Sequence, residues 1–147
     1  MKRSLCLLAL AWLACLAMPV LASDDHVALI KSVSGNVKVT RANASFDAAS
    51  GTTLLVSDHL IAAPNASAAI VFRDGTLLTL GPSADILVRD YVFEPKDAKF
   101  SFSVYLNKGS AIYESGKIGK LAPESVKVET PRATVGVRGT RFLIEAN

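Results

Sequence analysis

The chain has 147 residues, half of them apolar and 20% charged, with 16 basic against 13 acidic side chains for a net charge of +3. That balance excludes a nucleic-acid binder recognised by charge. The two cysteines, Cys6 and Cys15, both fall near the start, so no disulfide framework or thiolate metal site is expected in the rest of the chain.

The first 22 residues, MKRSLCLLALAWLACLAMPVLA, read as a secretory signal peptide. Lys2 and Arg3 supply the positive start, Leu5 to Met18 the apolar run, and Val20-Leu21-Ala22 the small-x-small cleavage site. The run falls short of the roughly 20 residues a membrane span needs. A competing reading is a lipoprotein anchored through Cys15, but Trp12 stands where that signal wants leucine. Cleavage leaves residues 23–147 as one β domain with no transmembrane segment, and 14 basic against 13 acidic side chains, a net charge of +1. Residues 117–147 are mildly cationic, with 6 basic and 3 acidic side chains, and read as a solvated face.

Beyond residue 26 apolar residues recur with period two. Val37 and Val39, Ile70 and Phe72, Ile86 and Val88, Phe100 with Phe102 and Val104, Val126 and Val128, and Phe142 and Ile144 are such sets. No long window carries a helical stripe. The turns between strands repeat a theme, a charged residue, glycine, then a hydroxyl residue: Asp74-Gly75-Thr76, Lys108-Gly109-Ser110, Arg138-Gly139-Thr140. Glycine allows the positive backbone angle of a tight turn, and threonine suits the start of a strand. With Gly35 and Gly51 the intervals are 16, 24, 34 and 30 residues, too uneven for a solenoid of fixed period. The expectation is an all-β domain of about 10 to 12 short antiparallel strands joined by glycine turns. They would form an irregular solenoid-like stack or sandwich, with a small β-barrel as the alternative. Residues 116–125 (GKIGKLAPES) read as an exposed loop.

In the last third, the strand VKVET is stopped by Pro131 and a glycine-rich link leads to the final strand TRFLIEA. The pattern resembles the FecR-like domain, the periplasmic module of bacterial iron-transport regulators and of other exported proteins. It rests on Gly35-x-Val37, on Ala68-Ala-Ile-x-Phe-x-Asp-Gly-Thr-x-Leu78, and on Leu106-x-x-Gly109-Ser-Ala. Most distinctive is Val128-x-Thr-Pro-x-Ala-Thr-x-Gly-Val-Arg-Gly-Thr-x-Phe142. The likeness implies a periplasmic, non-catalytic interaction or scaffold module. Its motif residues Thr130, Pro131, Gly136, Arg138, Gly139, Thr140 and Phe142, and its turn residues Asp74, Gly75, Thr76 and Gly109, are read as structural. Regulators of this kind also carry a cytoplasmic anti-sigma segment, a transmembrane helix and a further C-terminal region. None is evident in this sequence, so the module is not expected to relay a signal across the inner membrane by itself.

The residues offer no catalytic centre and no cofactor site. His26 and His59 are 33 residues apart and outside any metal-ligand spacing. Asp58, Asp74, Asp85 and Asp90 read as solvated turn acids. There is no nucleophile elbow, and Gly136-Val-Arg-Gly139 lacks the Lys-Ser or Lys-Thr of a phosphate loop. Arg138 has two readings: it folds inward to tie together turn carbonyls, in space left by Gly136 and Gly139, or it faces a partner. The first is expected. The expected partner is another envelope protein, met by strand addition at an open sheet edge, with a role in signalling as one possibility. A glycan on the face bearing Tyr91, Tyr105 and Tyr113 is the alternative.

Overall fold

Residues 25–147 are described by a computed structural model, so the expected leader and its cleavage site lie outside the described residues. Twelve strands follow one another: β1 (Ala28–Ser34), β2 (Val37–Arg41), β3 (Ala44–Asp47), β4 (Thr53–Leu54), β5 (His59–Ala62), β6 (Ser67–Phe72), β7 (Leu77–Leu80), β8 (Asp85–Glu94), β9 (Lys99–Glu114), β10 (Val126–Glu129), β11 (Thr134–Gly136) and β12 (Arg141–Ala146). One short helix, α1 (Lys117–Leu121), separates β9 from β10. The all-β expectation is met.

The strands join in one sheet in the order β3-β2-β5-β8-β9-β7-β6-β1-β4, with β10 and β12 also on β9 and β11 outside β10. The sheet curls into a half-barrel, between the sandwich and the closed barrel that alternation allows. Period two decides what faces inward. Along β6, Ala68, Ile70 and Phe72 are buried while Ser67, Ala69 and Val71 are half-exposed. At the centre of the core, Phe102 packs against Phe72 and Tyr113 with ring centroids 4.9 and 5.5 Å apart, both edge-on. Each such fully buried large apolar side chain stabilises the fold by about 1.5–3 kcal/mol.

The strand that makes the curl possible is β9. Its first part lies between β8 and β10, its last part between β7 and β12. Gly109 was expected in a turn before a strand, but it sits inside β9 with φ +86°, where the partners change. A Cβ there would lie 2.6 Å from the Cα of Ala84, in the connection between β7 and β8. Only glycine permits both the bend and that approach.

Two further expectations are corrected. The strands are not all antiparallel, because β10 runs parallel to β9. A parallel neighbour requires a crossover, and residues 116–125 supply it. They are therefore not an exposed loop: they hold α1 and a 3-10 turn at Pro123–Ser125, and Gly116, Ile118 and Ala122 are buried. The glycine-rich link also contains a strand, β11, which pairs with β10 over three residues.

Candidate functional site

The conspicuous polar residues of the sequence divide into those that hold the fold and those left facing solvent. Asp74, Gly75 and Thr76 form the turn between β6 and β7, and Asp74 is 2% exposed. Its carboxylate accepts hydrogen bonds from the Thr76 hydroxyl at 2.7 Å, the Thr76 N–H at 3.2 Å, the Tyr91 hydroxyl at 3.0 Å and the Ile118 N–H at 3.0 Å. Its carbonyl accepts from Lys117 N–H at 2.9 Å. One side chain thereby binds the β6–β7 turn to β8 and to the start of α1. Gly116 fits because a Cβ on it would come 2.2 Å from the Thr76 nitrogen. Burial first, then the Asp74 charge, pushes the Tyr91 phenol well above its ordinary range.

Asp58 is the second buried acid, 1% exposed. Arg41 donates to it through Nε at 2.9 Å and a terminal nitrogen at 2.7 Å, and the Leu55 N–H donates at 2.8 Å. The hydrogen bond from Arg41 holds that guanidinium more firmly protonated than usual. The reading of Asp58 and Asp74 as solvated acids is thus wrong: both lie in or beside turns, but backbone N–H groups converge on their carboxylates, with Arg41 on Asp58 and the Thr76 and Tyr91 hydroxyls on Asp74, and bury them. Asp90 remains exposed and accepts from Ser101 at 2.6 Å.

On the outer face of β5, β8 and β9, His59 and Asp85 pair, and Asn107 donates to the same carboxylate at 3.1 Å. With Leu87 and Tyr105 they line a depression of about 190 Å³. Next to it Arg89 pairs with Glu129 and lies 4.3 Å over the Tyr105 ring. The aromatic face expected for a glycan is not assembled. Tyr91, Phe102 and Tyr113 are core residues, and Tyr105 alone of the three tyrosines faces out, beneath that arginine. The Tyr113 hydroxyl makes no hydrogen bond of ordinary geometry. Burial raises its pKa, and the nearby Ser115 and Thr76 hydroxyls offset this only in part.

The C-terminal motif holds a turn and a strand start. The Thr130 hydroxyl accepts from Ala133 N–H at 3.1 Å, and the Thr130 N–H donates to the Ala133 carbonyl at 2.8 Å, closing the β10–β11 link around Pro131. Phe142 stacks on Tyr113 at 5.0 Å. Arg138, however, does not fold inward. Val137 takes the buried position, 4% exposed, so Arg138 points to solvent beside Pro123 and Glu124. The carbonyls it was expected to satisfy are served by Ser115, whose hydroxyl donates to Gly139 at 2.7 Å and whose N–H donates to Thr140 at 2.8 Å. Nor do Gly136 and Gly139 make room for a close approach, since a Cβ on either would meet nothing within 4 Å.

What the fold leaves open is backbone. Among the described residues β3 ends the sheet, pairing only with β2, and all four of its residues are exposed. Ala48 N–H donates to the Val37 carbonyl at 2.8 Å, which fixes the alternation of the ladder. It follows that Ser45 and Asp47 turn their N–H and C=O groups to the unpaired side. Phe46 projects from this edge strand with Arg41 5.5 Å over its ring. Among the described residues no helix is long and apolar enough to cross a membrane, and no three or more His, Cys, Asp or Glu side chains are grouped to hold a metal ion.

The chain matches the FecR protein family over residues 58–147, a non-enzymatic, envelope-associated regulatory family. No curated protein and no solved structure matches it. The match begins at β5, and the strands before it are part of the same sheet, since β1 pairs with β6 and β2 with β5. With more than half of its length matched, up to and through the Thr130–Phe142 motif, the chain belongs to the FecR family.

Proposed function

We propose that this protein is a non-catalytic interaction module, exported to the periplasm, that docks another envelope protein by adding a strand of the partner to β3. The open edge carries the reading. Ser45 and Asp47 offer two N–H donors and two carbonyl acceptors in strand geometry, and Phe46 supplies an apolar contact beside them. The two buried acids, Asp58 and Asp74, are committed to holding turns rather than to chemistry. Membership in a regulatory family favours a role as a signalling accessory over a purely mechanical scaffold.

The test is photo-crosslinking in cells from a probe at position 46, with and without Ser45→Pro. Proline there removes an N–H that faces away from β2, so the β2–β3 ladder survives. A discrete adduct to a second envelope protein, lost in the proline variant, is expected. An absence of adducts, or adducts indifferent to the proline, would overturn strand addition at β3.

A further inference from the structure

A second open edge lies at β12, which branches from β9, and has its own chemistry. Among the described residues β12 pairs with β9 and with no other strand. The hydrogen bond from Ser115 N–H to the Thr140 carbonyl fixes the alternation here too. Phe142, Ile144 and Ala146 turn their backbone groups to β9, while Arg141, Leu143 and Glu145 turn theirs outward. The side chains of these same three residues share the solvent face, and Leu143 is 60% exposed. The edge therefore presents, in strict alternation, a cation, an apolar residue and an anion.

We propose that β12 pairs antiparallel with β12 of a second copy of this chain, about a two-fold axis through Leu143. The sequence of the edge selects both the occupant and the register. Centred on Leu143, antiparallel pairing sets Arg141 opposite the second copy's Glu145, Leu143 opposite its counterpart, and Glu145 opposite the second copy's Arg141. All three outward-facing backbone positions then fall in hydrogen-bonded pairs. A register shifted by two residues in either direction sets Leu143 opposite Arg141 or Glu145 and leaves the other charge without its counterpart, and one shifted by four sets Arg141 or Glu145 opposite itself, where like charges are unfavourable. Arg141 already has Glu114 at 3.1 Å on its inner side, so the second copy's Glu145 would complete a row of acid, base and acid across three strands. Charges on a lone edge normally discourage pairing. Here their order makes the edge complementary to itself, as a two-fold interface must be. This edge is distinct from β3, and its pairing neither requires nor excludes a partner there.

Sedimentation of the full chain over a range of concentrations tests the proposal, using Arg141→Glu, Glu145→Arg and their equimolar mixture. A reversible dimer is expected for the natural chain, with a dissociation constant on the order of 100 μM or tighter. Each variant alone places like charges opposite each other twice per dimer, which should weaken association about tenfold or more. Mixed, one chain carries two carboxylates on its edge and the other two guanidiniums, so dimers should return. A natural chain still monomeric at about 1 mM, variants that associate as well as the natural chain, or a mixture that stays monomeric would each overturn the proposal.

Discussion

Replacing Asp74 by alanine should be the most damaging single loss of a polar side chain in this fold. The Tyr91 and Thr76 hydroxyls lose the carboxylate that accepts their protons but keep a bond as acceptors, from the N–H of residue 74 at 2.8 Å and from Gly116 N–H at 3.2 Å, and each can rotate to seek another acceptor. The N–H groups of Thr76 and Ile118 lose the carboxylate and stay buried. At about 1–3 kcal/mol for each unsatisfied buried donor, the cost is about 4 kcal/mol. For a domain of this size that lowers the melting temperature by about 15 °C. Asp74→Asn keeps one acceptor oxygen and should lose about half as much. Thermal unfolding followed by circular dichroism measures both. An Asp74→Ala melt within about 2 °C of the natural protein would show that the carboxylate does not hold the β6–β7 turn to α1.

Gly116→Ala forces a Cβ to 2.2 Å from a backbone nitrogen and should cost about 3 kcal/mol or more, whereas Gly136→Ala meets open space and should change stability by less than about 0.5 kcal/mol; chemical denaturation separates them. Arg138→Ala should leave the melt unchanged within about 0.5 kcal/mol, because the neighbouring carbonyls are bound by Ser115. Tyr113→Phe removes a buried hydroxyl that makes no hydrogen bond and should be neutral or stabilise by about 1 kcal/mol at pH 7. In alkali, the unfolded chain releases phenol protons near the ordinary value of 10.0 while folded Tyr91 and Tyr113 keep theirs. The unfolded state then binds fewer protons, so stability should fall as pH rises above that value. Tyr113→Phe should make the fall shallower, as read from unfolding curves and tyrosinate absorbance. Export should cleave after Ala22, and the intact mass of the mature protein checks this against an acylated Cys15.

Alternation made most of the strands legible because one face of each is buried by the curl of the sheet, whereas β3, exposed on both faces, carries no such period. Alternation could not distinguish the inside of β9 from a hairpin turn at Gly109, since both demand a positive φ. α1 was hidden for a different reason: five residues with Ile118 alone buried make no stripe. The polar ties were hidden by distance along the chain. Arg41 and Asp58 are 17 residues apart, and Ser115 reaches Gly139 across 24. The reading of Arg138 failed because, in the link between β11 and β12, the apolar Val137 takes the buried position and Arg138 is left exposed. For the candidate site, the sequence named strand addition but not the strand. An edge is defined by the neighbour it lacks: among the described residues β3 pairs with β2 alone, and nothing in the four residues of β3 announces that no further strand will join it.

Amide hydrogen exchange at Ser45 and Asp47 tests the central claim most directly, measured on the isolated protein and on its complex with the envelope protein captured from position 46. Docking at β3 predicts rapid exchange at both amides in the isolated protein and strong protection of both in the complex, with Phe46, already bonded to Val39 of β2, changing little. Exchange at Ser45 and Asp47 that is the same with and without the partner would contradict it.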